Sequence, residues 1–128
     1  MIEYTVKVLE NGSRGWFMND KLHREDGPAC EYSHGGKVWY KNGRLHREDG
    51  PACEYVDGTK FWYLNGKLHR EDGPACEDVD GSKEWYFNGE ELTEEEFLNK
   101  TKKHTIIIDG QEIQISAESF NELKKSLN

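Results

Sequence analysis

The chain has no long apolar run. The longest aliphatic one is Ile106-Ile107-Ile108, far short of the roughly 18 residues that a membrane-spanning helix needs. No apolar segment follows a basic N-terminal stretch, so a secretory leader is not expected and a cytoplasmic location is. Cysteine is scarce and odd in number, at three, which excludes a complete internal disulfide framework and points to free thiols in a reducing compartment. Apolar residues make up only 34% of the 128 residues and charged ones 33%, too lean a mixture for a thick core. Aromatic residues are not scarce. Four Trp, six Tyr and five Phe recur at fixed intervals, the wrong composition for a disordered chain. A thin sheet, one side chain deep, reconciles the lean core with the ordered aromatics.

The interval is 23 residues. Trp16, Trp39, Trp62 and Trp85 keep it, as do His23, His46 and His69, and Cys30, Cys53 and Cys76. The phrase Leu-His-Arg-Glu-Asp-Gly-Pro-Ala-Cys-Glu occurs at 22–31, 45–54 and 68–77. Units are placed at 6–28, 29–51, 52–74 and 75–97, and the second and third share 17 of 23 residues. The first is a worn copy, with Leu9 where Tyr32 and Tyr55 stand and Asn19-Asp20 in place of Asn-Gly. The fourth loses its ending. Within a unit the signals are β: Ala52–Tyr55 reads as a strand, Val56–Thr59 as a turn and Lys60–Leu64 as a second strand. Gly after Asp supplies the positive φ that a tight hairpin turn requires. The connector from Asn65 to Pro74 carries two Gly turns and ends in a residue that cannot donate to a ladder.

The 23-residue period, the string Trp-Tyr-x-Asn-Gly-x-x-His, and Asp-Gly before the next aromatic strand resemble the MORN repeat family over residues 6 to about 97. One departure is that the family's usual His-Gly-x-Gly is here His-Arg-Glu-Asp-Gly. The phrase His-Arg-Glu-Asp-Gly-Pro-Ala looks like tracts in proteins of bacteriophages and large DNA viruses. The resemblance implies an elongated single-layer array of β-hairpins, residues 1–92, used for protein or lipid contacts. It also implies a phage-type factor directed against a host defence.

Beyond Gly89 the pattern breaks, and residues 93–128 read as a helix–β-hairpin–helix cap. Thr93 and Glu96 are spaced as a capping box for a helix through Lys100. His104–Ile108 and Gln111–Ile115 flank Asp109-Gly110 as a hairpin. Ser116 is placed to cap a last helix whose Phe120, Leu123 and Leu127 form one stripe. Such a unit is expected either to cover the open sheet edge or to join two copies as a homodimer.

The net charge of −8 is uneven. Residues 75–98 hold nine acids, Glu77, Asp78, Asp80, Glu84, Glu90, Glu91, Glu94, Glu95 and Glu96, against Lys83 alone. The other segments nearly balance. A run of like charge is either solvated or faces a basic partner. The second alternative makes these nine residues a docking surface for a basic host protein, such as a nucleic-acid-binding enzyme. The sign disfavours direct contact with DNA or RNA and with anionic membranes.

His-Arg-Glu-Asp in three copies offers acid–base groups, but a catalytic site needs one asymmetric pocket. A feature in every unit is better explained as connector architecture, with His bonding the neighbouring loop. A non-enzymatic protein without a cofactor is therefore expected. His and Cys lack the clustering of structural zinc sites, and rows about 10 Å apart cannot share one ion. Strand alternation sends the Trp and Tyr rows to opposite faces. Trp39, Trp62, Tyr40 and Tyr63, with His46, Arg47, His69 and Arg70, then form a rival site for an anionic small ligand such as a nucleotide. Inhibitor by an acidic patch, sequestering protein and passive scaffold remain as three alternatives.

Overall fold

The computed structural model describes residues 2–127. It is mainly β, with antiparallel hairpin-like strands and two short helices near the C-terminus. The chain divides into a unit ending at Glu91 and a second beginning at Leu92. Among the described residues no helix is long and apolar enough to cross a membrane.

The first unit is built on one sheet. The strands of this sheet lie in the order Thr5–Val8, Arg14–Met18, Cys30–Glu31, Lys37–Val38, Cys53–Glu54, Lys60–Phe61, Cys76–Glu77, Lys83–Phe87 and Glu90–Leu92, the last ending one residue past the unit boundary, and Lys21–Leu22 also pairs with Arg14–Met18. The expected strand Lys60–Leu64 is two strands. Lys60–Phe61 belongs to the main sheet, whereas Tyr63–Leu64 turns away to pair with Lys67–Leu68. Trp62 is the pivot: its N–H donates to the Ala75 carbonyl, and its carbonyl accepts from the His69 N–H. Trp16 and Trp39 make the same pair of bonds with Ala29 and His23, and with Ala52 and His46.

Part of the expected connector is thus a second small hairpin. Asn65 and Gly66 close it with φ of 49° and 80°, both in the left-handed region that the favoured two-residue turn demands. The worn first copy keeps this geometry without glycine, since Asn19 and Asp20 stand at 51° and 62°. Short polar side chains tolerate that region better than others.

Register explains why Cys and Glu recur together. Cys53 lies opposite Val38 and Phe61, and Cys76 opposite Phe61 and Glu84. Glu54 lies between Lys37 and Lys60, and Glu77 between Lys60 and Lys83. A slip of one residue would move each thiol to the charged face, so the alternation fixes the pairing. Burial is shallow: Ala29, Ala52, Ala75, Val38, Cys53 and Cys76 are buried, whereas the Trp and Tyr rows are only half-buried.

The second unit pairs Lys103–Ile108 with Gln111–Ser116 through Asp109-Gly110, between helices α1 (Glu94–Thr101) and α2 (Ala117–Ser126). Thr93 accepts from the Glu96 N–H while Glu96 accepts from the Thr93 N–H, a complete capping box. Ser116 caps α2. Of the expected stripe only Phe120 is covered, stacked on His104 at 4.2 Å; Leu123 and Leu127 are exposed.

Candidate functional site: the connector grooves and the acidic segment

Each His-Arg-Glu-Asp connector is held by both of its basic residues. The Arg47 guanidinium lies over the Trp39 ring at 3.8 Å. Its Nε donates to Asp49 at 2.9 Å, and Nη1 donates to the Pro51 carbonyl at 3.1 Å and to Glu54 at 3.0 Å. Arg24 repeats the set with Trp16, Asp26, Pro28 and Glu31. Arg70 repeats it with Trp62, Asp72, Pro74 and Glu77. The planar guanidinium satisfies one ring face and three oxygens at once, which an ammonium cannot do. Asp49 is held below its usual range by the bond and charge of Arg47.

The histidines reach across to the next small hairpin. The N–H of Asn42, Asn65 and Asn88 each donates to Nδ1 of His23, His46 and His69 at 2.9 Å. An accepting Nδ1 places the ring proton on Nε2, which faces Glu25, Glu48 and Glu71 at 3.3, 3.3 and 3.6 Å. Asn65 and Gly66 therefore face their preceding neighbour, and the expected role of His in bonding the adjacent loop is seen in three places.

Two open grooves, of about 650 and 610 Å³, run between successive connectors. Trp39, His46 and Arg47 border the first, and Trp62, His69 and Arg70 the second. Tyr40 borders the first as well; Tyr63 does not border the second. The hydroxyls of both tyrosines are pushed up by burial first and then by nearby thiols, Cys30 and Cys53 for Tyr40, and Cys53 and Cys76 for Tyr63. The structure thus gathers the Trp, His and Arg residues of the ligand set with Tyr40, and leaves Tyr63 outside the second groove.

The thiols are not poised to react. Burial raises Cys30 and Cys53, and burial together with Glu84, Asp78 and Glu91 pushes Cys76 up to about 11. Among the described residues no three His, Cys, Asp or Glu side chains come close enough to hold a metal ion.

The nine acids of 75–98 divide by role. Glu77 binds Arg70, Asp80 bonds the Ser82 N–H in its turn, and Glu96 completes the helix cap. The Tyr86 hydroxyl is pushed up by burial first and then by the neighbouring Glu91 and Glu84 carboxylates. Asp78, Glu90, Glu91, Glu94 and Glu95 have no ion-pair partner among the described residues. Six further carboxylates, Glu25, Asp26, Glu48, Asp49, Glu71 and Asp72, lie in segments whose charges nearly balance, yet all are exposed on the connectors. Compared with protein-family models, curated proteins and solved structures, the chain matches none.

Proposed function

We propose that this chain is a non-enzymatic binding protein, a four-unit MORN-like hairpin array whose 75–98 acids dock on a basic surface of a host protein. One contrast carries the reading. The connector aspartates each pair with a neighbouring Arg, as Asp49 does with Arg47, and the connector glutamates each face a His ring, as Glu48 does that of His46, whereas Asp78, Glu90, Glu91, Glu94 and Glu95 have no ion-pair partner among the described residues. Unpaired like charges repel one another and gain most from an oppositely charged partner. A nucleic-acid-binding groove is such a surface, because its Lys and Arg side chains are there to neutralise phosphates. With the resemblance to phage proteins, this points to a host defence enzyme, such as a CRISPR effector, whose nucleic-acid site would be blocked. The nucleotide-sequestering alternative is less favoured, because Arg47 and Arg70 already satisfy carboxylates of the chain itself.

The test is retention of proteins from host lysate by wild type and by a Glu90→Gln, Glu91→Gln, Glu94→Gln, Glu95→Gln variant. A basic protein held by wild type alone is expected. When purified, it should lose affinity steeply between 50 and 300 mM salt (about tenfold or more) and be displaced by RNA or DNA. Equal retention by the variant, or indifference to nucleic acid, refutes the reading.

A further inference from the structure

We infer that the connector grooves are a second docking surface, one that takes Lys or Arg side chains from a partner segment in polyproline-II conformation with a basic residue at every third position. The inference rests on the chain being a binding protein but not on the 75–98 acids.

The grooves are consecutive. Arg47, Glu48 and Asp49 line both, so the middle connector is the wall between them. The first groove sets Arg24, Lys41 and Arg47 against Glu25, Asp26, Glu48 and Asp49; the second sets Arg47 and Arg70 against Glu48, Asp49, Glu71 and Asp72. Acids outnumber bases in each. Depth sharpens the difference, because the side chains of Arg47 and Arg70 are 20% and 19% exposed whereas those of Asp49 and Asp72 are 86% and 85%. An approaching chain meets carboxylates first in the second groove, and carboxylates beside the exposed Lys41 in the first, with arginines beneath them already bonded. Trp39 and Trp62 in the walls supply apolar surface for the methylene stem of a basic side chain.

Spacing selects the occupant. Each 23-residue period contributes two strands to the main sheet, so successive grooves repeat at about 9.6 Å. A polyproline-II segment has three residues per turn and rises about 9.3 Å over them, which brings every third side chain to the same face. In a β-strand the third residue points to the opposite face. An ordered cation in each groove would approach the exposed oxygens of Glu48 or Glu71 without displacing Arg47 or Arg70 from their partners.

The probe is a fluorescent 12-residue peptide, Arg-Pro-Pro repeated four times, against one of identical composition with its four arginines contiguous. Both are titrated into the full chain in 50 mM salt. The periodic peptide is expected to bind at least fivefold tighter. Glu48→Gln/Glu71→Gln should remove most of that advantage with the circular dichroism spectrum unchanged. Glu71→Gln alone, which loosens only a 3.6 Å contact to His69, should remove about half and serves if the double variant misfolds. Equal affinity for the two peptides, tighter binding of a helical peptide with Arg at every seventh residue, or no effect of Glu71→Gln overturns the proposal. The Glu90, Glu91, Glu94 and Glu95 variant separates the two surfaces, because it should lose the host protein and keep the peptide.

Discussion

Replacing Arg47 tests whether the His-Arg-Glu-Asp phrase is architecture. Arg47→Ala removes the guanidinium stacked on Trp39 at 3.8 Å, worth about 0.5–1 kcal/mol. It removes the bond to the Pro51 carbonyl, worth about 1 kcal/mol. It also removes the pair with Glu54, whose side chain is 36% exposed, worth about 0.5–1 kcal/mol after screening by solvent. Asp49 is exposed to solvent, which screens its pair with Arg47, and adds nothing to the tally. The expected loss is about 2–3 kcal/mol, a shift of about 1–2 M in the urea midpoint for a slope near 1.5 kcal/mol/M. Arg47→Lys keeps the charge but not the fork, and should recover less than half. Unfolding in urea followed by tryptophan fluorescence measures both, and a cycle with Glu54→Gln isolates the pair at about 0.5–1 kcal/mol. If Arg47→Ala costs under about 0.5 kcal/mol, or Lys is as good as Arg, the stapling argument is wrong and Arg47 is free to serve a ligand.

Asn65 holds φ at 49°, so Asn65→Ala should cost about 1 kcal/mol in thermal unfolding while Asn65→Gly is nearly neutral. Cys76 is pushed to about 11 from an ordinary 9.0. Its thiolate at pH 8 is therefore about 100-fold rarer than that of a free thiol, and it should react with a disulfide reagent after Cys30. Glu84→Gln should quicken it, and equal rates for the two thiols would contradict the assignment. Asp49, Asp57, Asp80 and Glu96 are held below their ordinary 3.8 or 4.5 by hydrogen bonds, in Asp49 joined by the charge of Arg47. Their contribution to stability is complete above about pH 4.5 and lost as pH falls through the lowered values. The acid limb of a pH–stability profile should therefore be shallower for Asp57→Asn/Asp80→Asn.

The repeat, the Asp-Gly and Asn-Gly turns and the Thr93 capping box could be read directly, because each rests on neighbours within a few positions. The break at Trp62 could not. The stretch from Lys60 to Leu64, four of whose five residues are apolar or aromatic, says that strand is favoured, but not that its two halves have different partners. The stack of Arg47 on Trp39 joins residues eight apart, with no local period that pairs them. The exposure of the connector acids is hidden for another reason. A net charge counts Arg47 and Asp49 as cancelling, although one is 20% and the other 86% exposed. Sequence sums carry sign and omit depth. The exposure of Leu123 and Leu127 likewise depends on what packs against α2, which helical spacing does not specify.

The staple from Arg47 to Glu54 crosses from one unit into the next, and it has a genetic consequence. Deleting residues 29–51 would join Pro28 to Ala52, and Arg24 would meet Glu54 at the same seven-residue remove at which it now meets Glu31. The Arg24 N–H would find the Tyr63 carbonyl in place of that of Tyr40. The junction would be chemically indistinguishable from either of those it replaced. Duplication of a unit heals in the same way. Whole units can thus be lost or gained with the staple kept intact, and the number of grooves changes with them.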